Sequence, residues 1–146
     1  MKLSDQNIKT LMLSIHQKIE EYANDTSEYL NKGEIQDLLS YPPNCGFNDK
    51  EIHSLNKITK DPDLQSALRK ILADNSAGVV FEIMNLIDGT TDPDEDLGEW
   101  TEIALIDKSD KIEEHYEMLH DSFYSTYWDW KEIRPDTSWK LDNLDE

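Results

Sequence analysis

One cysteine, five glycines and five prolines among 146 residues leave little with which to cross-link or interrupt the chain. Cys45 alone cannot form an internal disulfide, and the opening MKLSDQNIKT has no apolar run of the kind found in secretory leaders, so a cytoplasmic protein is expected. No apolar stretch approaches the roughly 20 residues of a membrane-spanning helix. Basic residues are also scarce: 14 Lys and Arg oppose 32 Asp and Glu, for a formal net charge of −18. Such a field opposes contact with nucleic acid and with anionic membranes, and leaves basic proteins as the partners it favours. Glycine-rich phosphate loops, CxxC and HExxH motifs and GxSxG elbows are missing as well. With no complete catalytic motif, the expectation is a protein that is not an enzyme and carries no cofactor.

What is present is helical grammar. Ser4 suits an N-cap, and Ile8, Leu11, Met12, Ile15, Ile19, Tyr22, Ala23, Thr26 and Leu30 follow a three-and-four spacing that ends at Gly33. A short segment with Ile35, Leu38 and Leu39 precedes the break at Pro42 and Pro43. In FNDKEI, Asn48 and Glu51 form a capping box and Phe47 and Ile52 stand at the positions of a hydrophobic staple. Asp61 and Pro62 open another helix, with Arg69 and Lys70 at its expected end, and Ser76 is read as the cap of a separate helix, AGVVFEIMNLID. That segment is apolar around most of its circumference, which predicts a place at the centre of the core; a buried strand competes through Val79, Val80 and Phe81.

WTEIALID is ambiguous between a short helix and a minor strand over residues 100–106. From about Asp110 the spacing Ile112, Tyr116, Leu119, Phe123, Tyr127, Trp130 predicts a last long helix that stops before Pro135. Trp139, Leu141 and Leu144 give the tail, residues 136–146, enough apolar character to fold back or meet a partner, with a flexible tail as the alternative. The whole reads as all-α, a compact bundle of about six helices forming a single domain over residues 1–146.

The acidic charge is not evenly spread. Residues 82–121 hold 14 acidic and 2 basic groups, a net of −12, while the 81 residues before them carry only −3. Within this segment LIDGTTDPDEDLGEW crowds Asp88, Asp92, Asp94, Asp96 and Glu99 together. Aligned with a calcium-binding EF-hand loop, Asp88, Thr90, Asp92, Asp96 and Glu99 fall at ligand positions, but Pro93 stands where a sharp turn needs glycine. Asp88, Asp92, Asp94, Asp96 and Glu99 are therefore weak metal candidates, and an exposed loop after a Gly89 helix stop is the simpler account.

Further along, Glu117 and His120 have the i, i+3 spacing of di-iron helices without the second copy such sites require. His120 beside Asp121 is a lone acid–base pair with no recognisable nucleophile. Cys45 has no adjacent cation to make a thiolate of it. FYSTYWDW reads as core packing with an interface edge. On the expected last helix, Glu113, Glu117 and Asp121 would stand four apart, and each like-charged pair would disfavour the helix by roughly 0.2–0.5 kcal/mol.

A small, acidic, mainly helical chain with an Asp/Glu-dense loop and helix resembles the immunity proteins of bacterial toxin–immunity pairs. The resemblance rests on the charge segregation of residues 82–121 and covers no diagnostic motif. It carries over no residue by position and implies only a mechanism, occlusion of a basic, nuclease-type toxin; the charge pattern itself offers Asp92, Asp94, Glu95, Asp96, Glu99, Glu113, Glu117 and Asp121 as the surface, with Trp100 as the candidate anchor. A nucleic-acid mimic, a divalent-metal protein using DGTTDPDED and a structural adaptor stay open beside it.

Overall fold

The structure, a computed structural model, describes residues 3–36, 38–41, 45–58, 61–107 and 118–135. It is all-α, with four α-helices rather than six among the described residues: α1 (Asp5–Lys32), α2 (Asp49–Leu55), α3 (Pro62–Asp88) and α4 (Leu119–Ile133). A 3-10 turn spans Glu95–Leu97. The chain divides into two compact units, one of Met1–Lys18 with Ser76–Glu146 and one of Ile19–Asn75. Among the described residues no helix is long and apolar enough to cross a membrane.

The helix ends follow local chemistry. The Ser4 side chain accepts from the Asn7 N–H and its carbonyl from the Ile8 N–H, which starts α1. Gly33, at φ +76°, ends it in a Schellman turn in which the Glu34 N–H reaches back to the Tyr29 carbonyl. The expected capping box is complete: the Asn48 side chain accepts from the Lys50 and Glu51 N–H groups, and Glu51 accepts from the Asn48 N–H at 2.7 Å. Asp61 caps the first turn of α3 by accepting from Asp63 and Leu64, with Pro62 in the first helical position.

Several expectations change. The helices expected to start at Pro62 and at Ser76 are one 27-residue helix. No proline interrupts Asp74, Asn75 and Ser76, and continuing a helix through three mediocre formers costs less than nucleating a second one. Arg69 and Lys70 are thus mid-helix, and Val79 and Ile83 are exposed, so this segment is not the centre of the core. Residues 100–106 form neither helix nor strand, with a single bridge at Ile106. Glu102 has φ +65°, outside the helical region, and Ile103 and Ile106 are exposed, so no buried face repays helix formation there. The last helix begins at Leu119, because Met118 is extended at ψ 147° and a helix cannot pass through it. Residues 108–117 and the tail 136–146, including Trp139, Leu141 and Leu144, lie outside the described residues.

In the first unit the buried row on α1 is Ile8, Met12 and His16 rather than Leu11 and Ile15. Facing it, α4 buries Leu119, Ser122, Phe123 and Trp130. His16 stacks on Phe123 at 4.9 Å between ring centroids, meets Tyr127 edge-on and lies 3.2 Å from the Thr126 hydroxyl. At the rim of the same pair, Lys9 and Asp129 form an exposed ion pair at 2.7 Å. α3 meets α4 through Phe81, whose ring lies against His120 and Tyr124.

The second unit buries Ile19, Ala23, Ser27 and Leu30 of α1 with Ile35 and Ala73. Arg69 reaches the Asn24 side-chain oxygen at 3.4 Å, and Lys32 holds the Glu28 carboxyl below its ordinary range. α2 buries no residue.

The start of α4 has no cap of its own. Met118 offers no side-chain acceptor, and the acceptor comes from the last residue of α3 instead. Asp88 Oδ2 takes the His120 backbone N–H at 3.0 Å and lies 2.9 Å from His120 Nδ1. Replacing Asp88 by Ala strands a part-buried N–H and removes a cap, so chemical denaturation should show a loss of about 1–2 kcal/mol. Asp88→Asn, which keeps one acceptor oxygen, should lose less, and amide exchange at residues 120–122 should accelerate in the alanine variant first.

Burial pushes the His16 imidazole below its ordinary value of 6.5, against a smaller upward pull from the Phe123 backbone. Native His16 therefore resists a proton that the unfolded chain accepts. Its contribution to stability is full above pH 6.5 and declines as the pH falls below it. Urea titrations at a series of pH values should show the stability difference between His16→Leu and the parent shifting in the variant's favour on acidification, by at most about 1.4 kcal/mol per pH unit. A pH-independent difference would contradict this account.

Candidate partner-binding surface

The chain leaves α3 through a second Schellman turn. Gly89 has φ +68°, the Thr90 N–H bonds the Asn85 carbonyl, and the Thr90 hydroxyl donates to the Asn85 carbonyl and side-chain oxygen. Gly89 is the helix-stopping residue its sequence position suggests. The other end of the described loop is held by Asp107, a buried carboxylate that accepts from the Ser4 N–H at 3.1 Å. Hydrogen bonds from Asn7 and Ser4 keep that carboxyl below its ordinary range.

Between these ties the carboxylates stand in solvent. Asp92, Asp94, Glu95, Asp96 and Glu99 project from the loop, and all five lie open to water. Asp94 occupies the N-cap position of the 3-10 turn but makes no side-chain capping bond, and only its carbonyl is used, by the Leu97 N–H. Among the described residues none of the five has an ion-pair partner. Trp100 follows them with 36% of its surface exposed. Six of the expected surface residues are therefore brought together on one loop whose described ends are tied down.

Asp121 is placed differently from expectation. It lies in the first turn of α4 with its side chain 67% exposed. At that position the helix dipole favours a carboxylate. Glu113 and Glu117 lie outside the described residues.

Asp88 does not belong with the open-loop carboxylates. Its side chain is 1% exposed and its Oδ2 is committed to His120, so it is not a free ligand at the head of a calcium loop. Among the described residues no three His, Cys, Asp or Glu side chains are grouped to hold a metal ion. His120 turns its Nδ1 to Asp88, while its Nε2 lies 3.7 Å from Asp121, beyond hydrogen-bond reach. The histidine is thus a structural partner of Asp88, 32 residues away in sequence, a pairing for which local pattern carries no signal. Cys45 is a free, partly buried thiol.

Comparison with known proteins finds no matching family model, no matching curated protein and no matching solved structure.

Proposed function

We propose that the loop carrying Asp92, Asp94, Glu95, Asp96 and Glu99, with Asp121, is a binding surface for a basic protein, and that the chain acts by occlusion, as an immunity or inhibitor protein does toward a basic nuclease-type toxin. The observation that carries this reading is the concentration of net charge −12 in residues 82–121 together with five exposed loop carboxylates that have no cationic partner among the described residues. Solubility alone is served equally well by dispersed charge, whereas a one-sided field steers a partner of opposite sign.

In this mechanism the carboxylates take the places that phosphates would hold against the partner's Lys and Arg side chains. Long-range attraction raises the encounter rate, and a desolvated apolar contact sets the lifetime of the complex. Trp100, at the end of the acidic run, is the proposed apolar anchor, the partly exposed aromatic ring on a loop that also exposes Leu97 and Ile103. The role is one of binding and needs no cofactor. A divalent-cation role for DGTTDPDED gains no comparable support, since Asp88 is withdrawn into the contact with His120.

Two kinetic signatures follow. Reversal of Asp94 and Asp96 to lysine should leave the helical circular dichroism unchanged, because both are exposed and lie outside the α-helices. Against a basic protein that co-purifies with the tagged chain, the variant should associate at least about tenfold more slowly in dilute buffer, and the gap should close as salt shortens the screening length below about 10 Å. Equal association rates at low salt would reduce the acidic loop to a solvated face. Trp100→Ala should leave the association rate nearly unchanged and raise the dissociation rate by about tenfold or more.

A further inference from the structure

We propose that the solvent face of α4, formed by Asp121, Tyr124, Trp128 and Glu132, is an anchoring surface for arginine side chains of a basic protein segment. The inference rests on the basic-partner reading and assigns to it a second contact, on a rigid helix rather than on the loop.

The four residues are spaced by three, four and four, so they form one stripe along the helix. By helical rise the two rings lie about 6 Å apart along the axis, and the two carboxylates bracket them over about 16 Å. All four are exposed, Tyr124 to 56% and Trp128 to 60%. The core does not use these rings, since α4 buries Phe123 and Trp130 instead. They are nevertheless held in place. Tyr124 rests against Phe81 at 5.1 Å and Phe123 at 5.4 Å, and Trp128 meets Tyr127 edge-on at 5.4 Å. Rings fixed before binding lose little freedom when a partner arrives.

The chemistry of the stripe selects its occupant. An aromatic face attracts a cation, and the Lys131 ammonium already lies 5.6 Å from the centroid of the Trp128 ring. A guanidinium does more than an ammonium here, because its plane stacks on the ring while its donors reach a carboxylate one turn away. Asp121 and Glu132 supply those carboxylates at the two ends of the stripe. Asp121 also closes the segment in which 14 acidic residues face 2 basic ones, so the stripe continues the acidic loop's charge complementarity. A second copy of this chain is an unsuitable occupant, since two molecules of net charge −18 repel.

The test is an NMR titration of the intact, 15N-labelled chain with tetra-arginine amide at low salt. The four tryptophan indole signals are assigned by single Trp→Phe variants. The Trp128 indole signal should move and saturate, and Trp128→Leu, which keeps apolar bulk without a π face, should weaken binding about two- to fivefold. Trp128→Phe should retain most of the affinity, and tetra-lysine amide should bind less tightly than the arginine peptide. If the Trp100 signal and the amides of residues 92–99 move while Trp128 stays still, the anchoring surface is overturned and the acidic-loop reading stands. The anchoring surface is likewise overturned if Trp128→Leu, folded by circular dichroism, binds as tightly as the parent. If no signal moves at either place, both readings fall.

Discussion

A single carboxylate oxygen caps the start of the last helix. Asp88 ends α3, where the negative end of that helix's own dipole disfavours a carboxylate, and its side chain is almost fully removed from water. The position becomes tolerable because the N-terminus of α4, the positive end of another helix, is brought to it, with the His120 N–H and imidazole as donors. Much else depends on this contact. It caps the first turn of α4, the helix that carries Phe123 and Trp130 inward and Tyr124 and Trp128 outward. It also closes the base of the long excursion between α3 and α4, whose ends would otherwise have to be held together at an entropic cost that grows with loop length.

The same residue type serves two purposes in this segment, and burial separates them. Asp88 and Asp107 are withdrawn from solvent, accept backbone N–H groups and tie the excursion to α4 and to the start of α1. Asp92, Asp94, Glu95, Asp96 and Glu99 stand between them, exposed and without cationic neighbours among the described residues. A count of net charge treats the two kinds as one. The field that a partner meets comes from the second kind, while the first holds the loop in place, so neutralising a buried carboxylate and an exposed one would damage different properties.

Local grammar made much of the fold legible. Asn48 with Glu51, Asp61 with Pro62, Ser4, Gly33 and Gly89 all act where the sequence places them, because a cap is a contact among residues three or four apart. The continuity of α3 was not legible, since Asp74, Asn75 and Ser76 look like a boundary and only the cooperativity of an already formed helix carries the chain through them. The buried row of α1 was obscured for another reason. Hydropathy favours Leu11 and Tyr22, which are exposed, over His16 and Ser27, which are buried; His16 is accommodated by ring stacking on Phe123 and Ser27 by donating to the Asn24 carbonyl. The exposed loop carboxylates were legible from composition, but the withdrawal of Asp88 was not, because its partner lies 32 residues away.

The placement of charge and of aromatic area bears on how a binding surface of this kind works. Carboxylates on a loop act at a distance and tolerate small displacements, because the field of several like charges changes slowly with position. Stacking contacts decay within a few ångströms and need rings whose orientation is already set. Among the described residues the exposed charges of the acidic segment are mostly on the loop after α3, and the exposed rings Tyr124 and Trp128 are on a helix whose first turn is held by Asp88. The division matches each interaction to the backbone that suits it: the irregular element carries the force that is insensitive to geometry, and the helix carries the one that depends on it. Asp121, beside His120 in the first turn of α4, belongs to both, being the last carboxylate of the acidic segment and the first residue of the aromatic stripe.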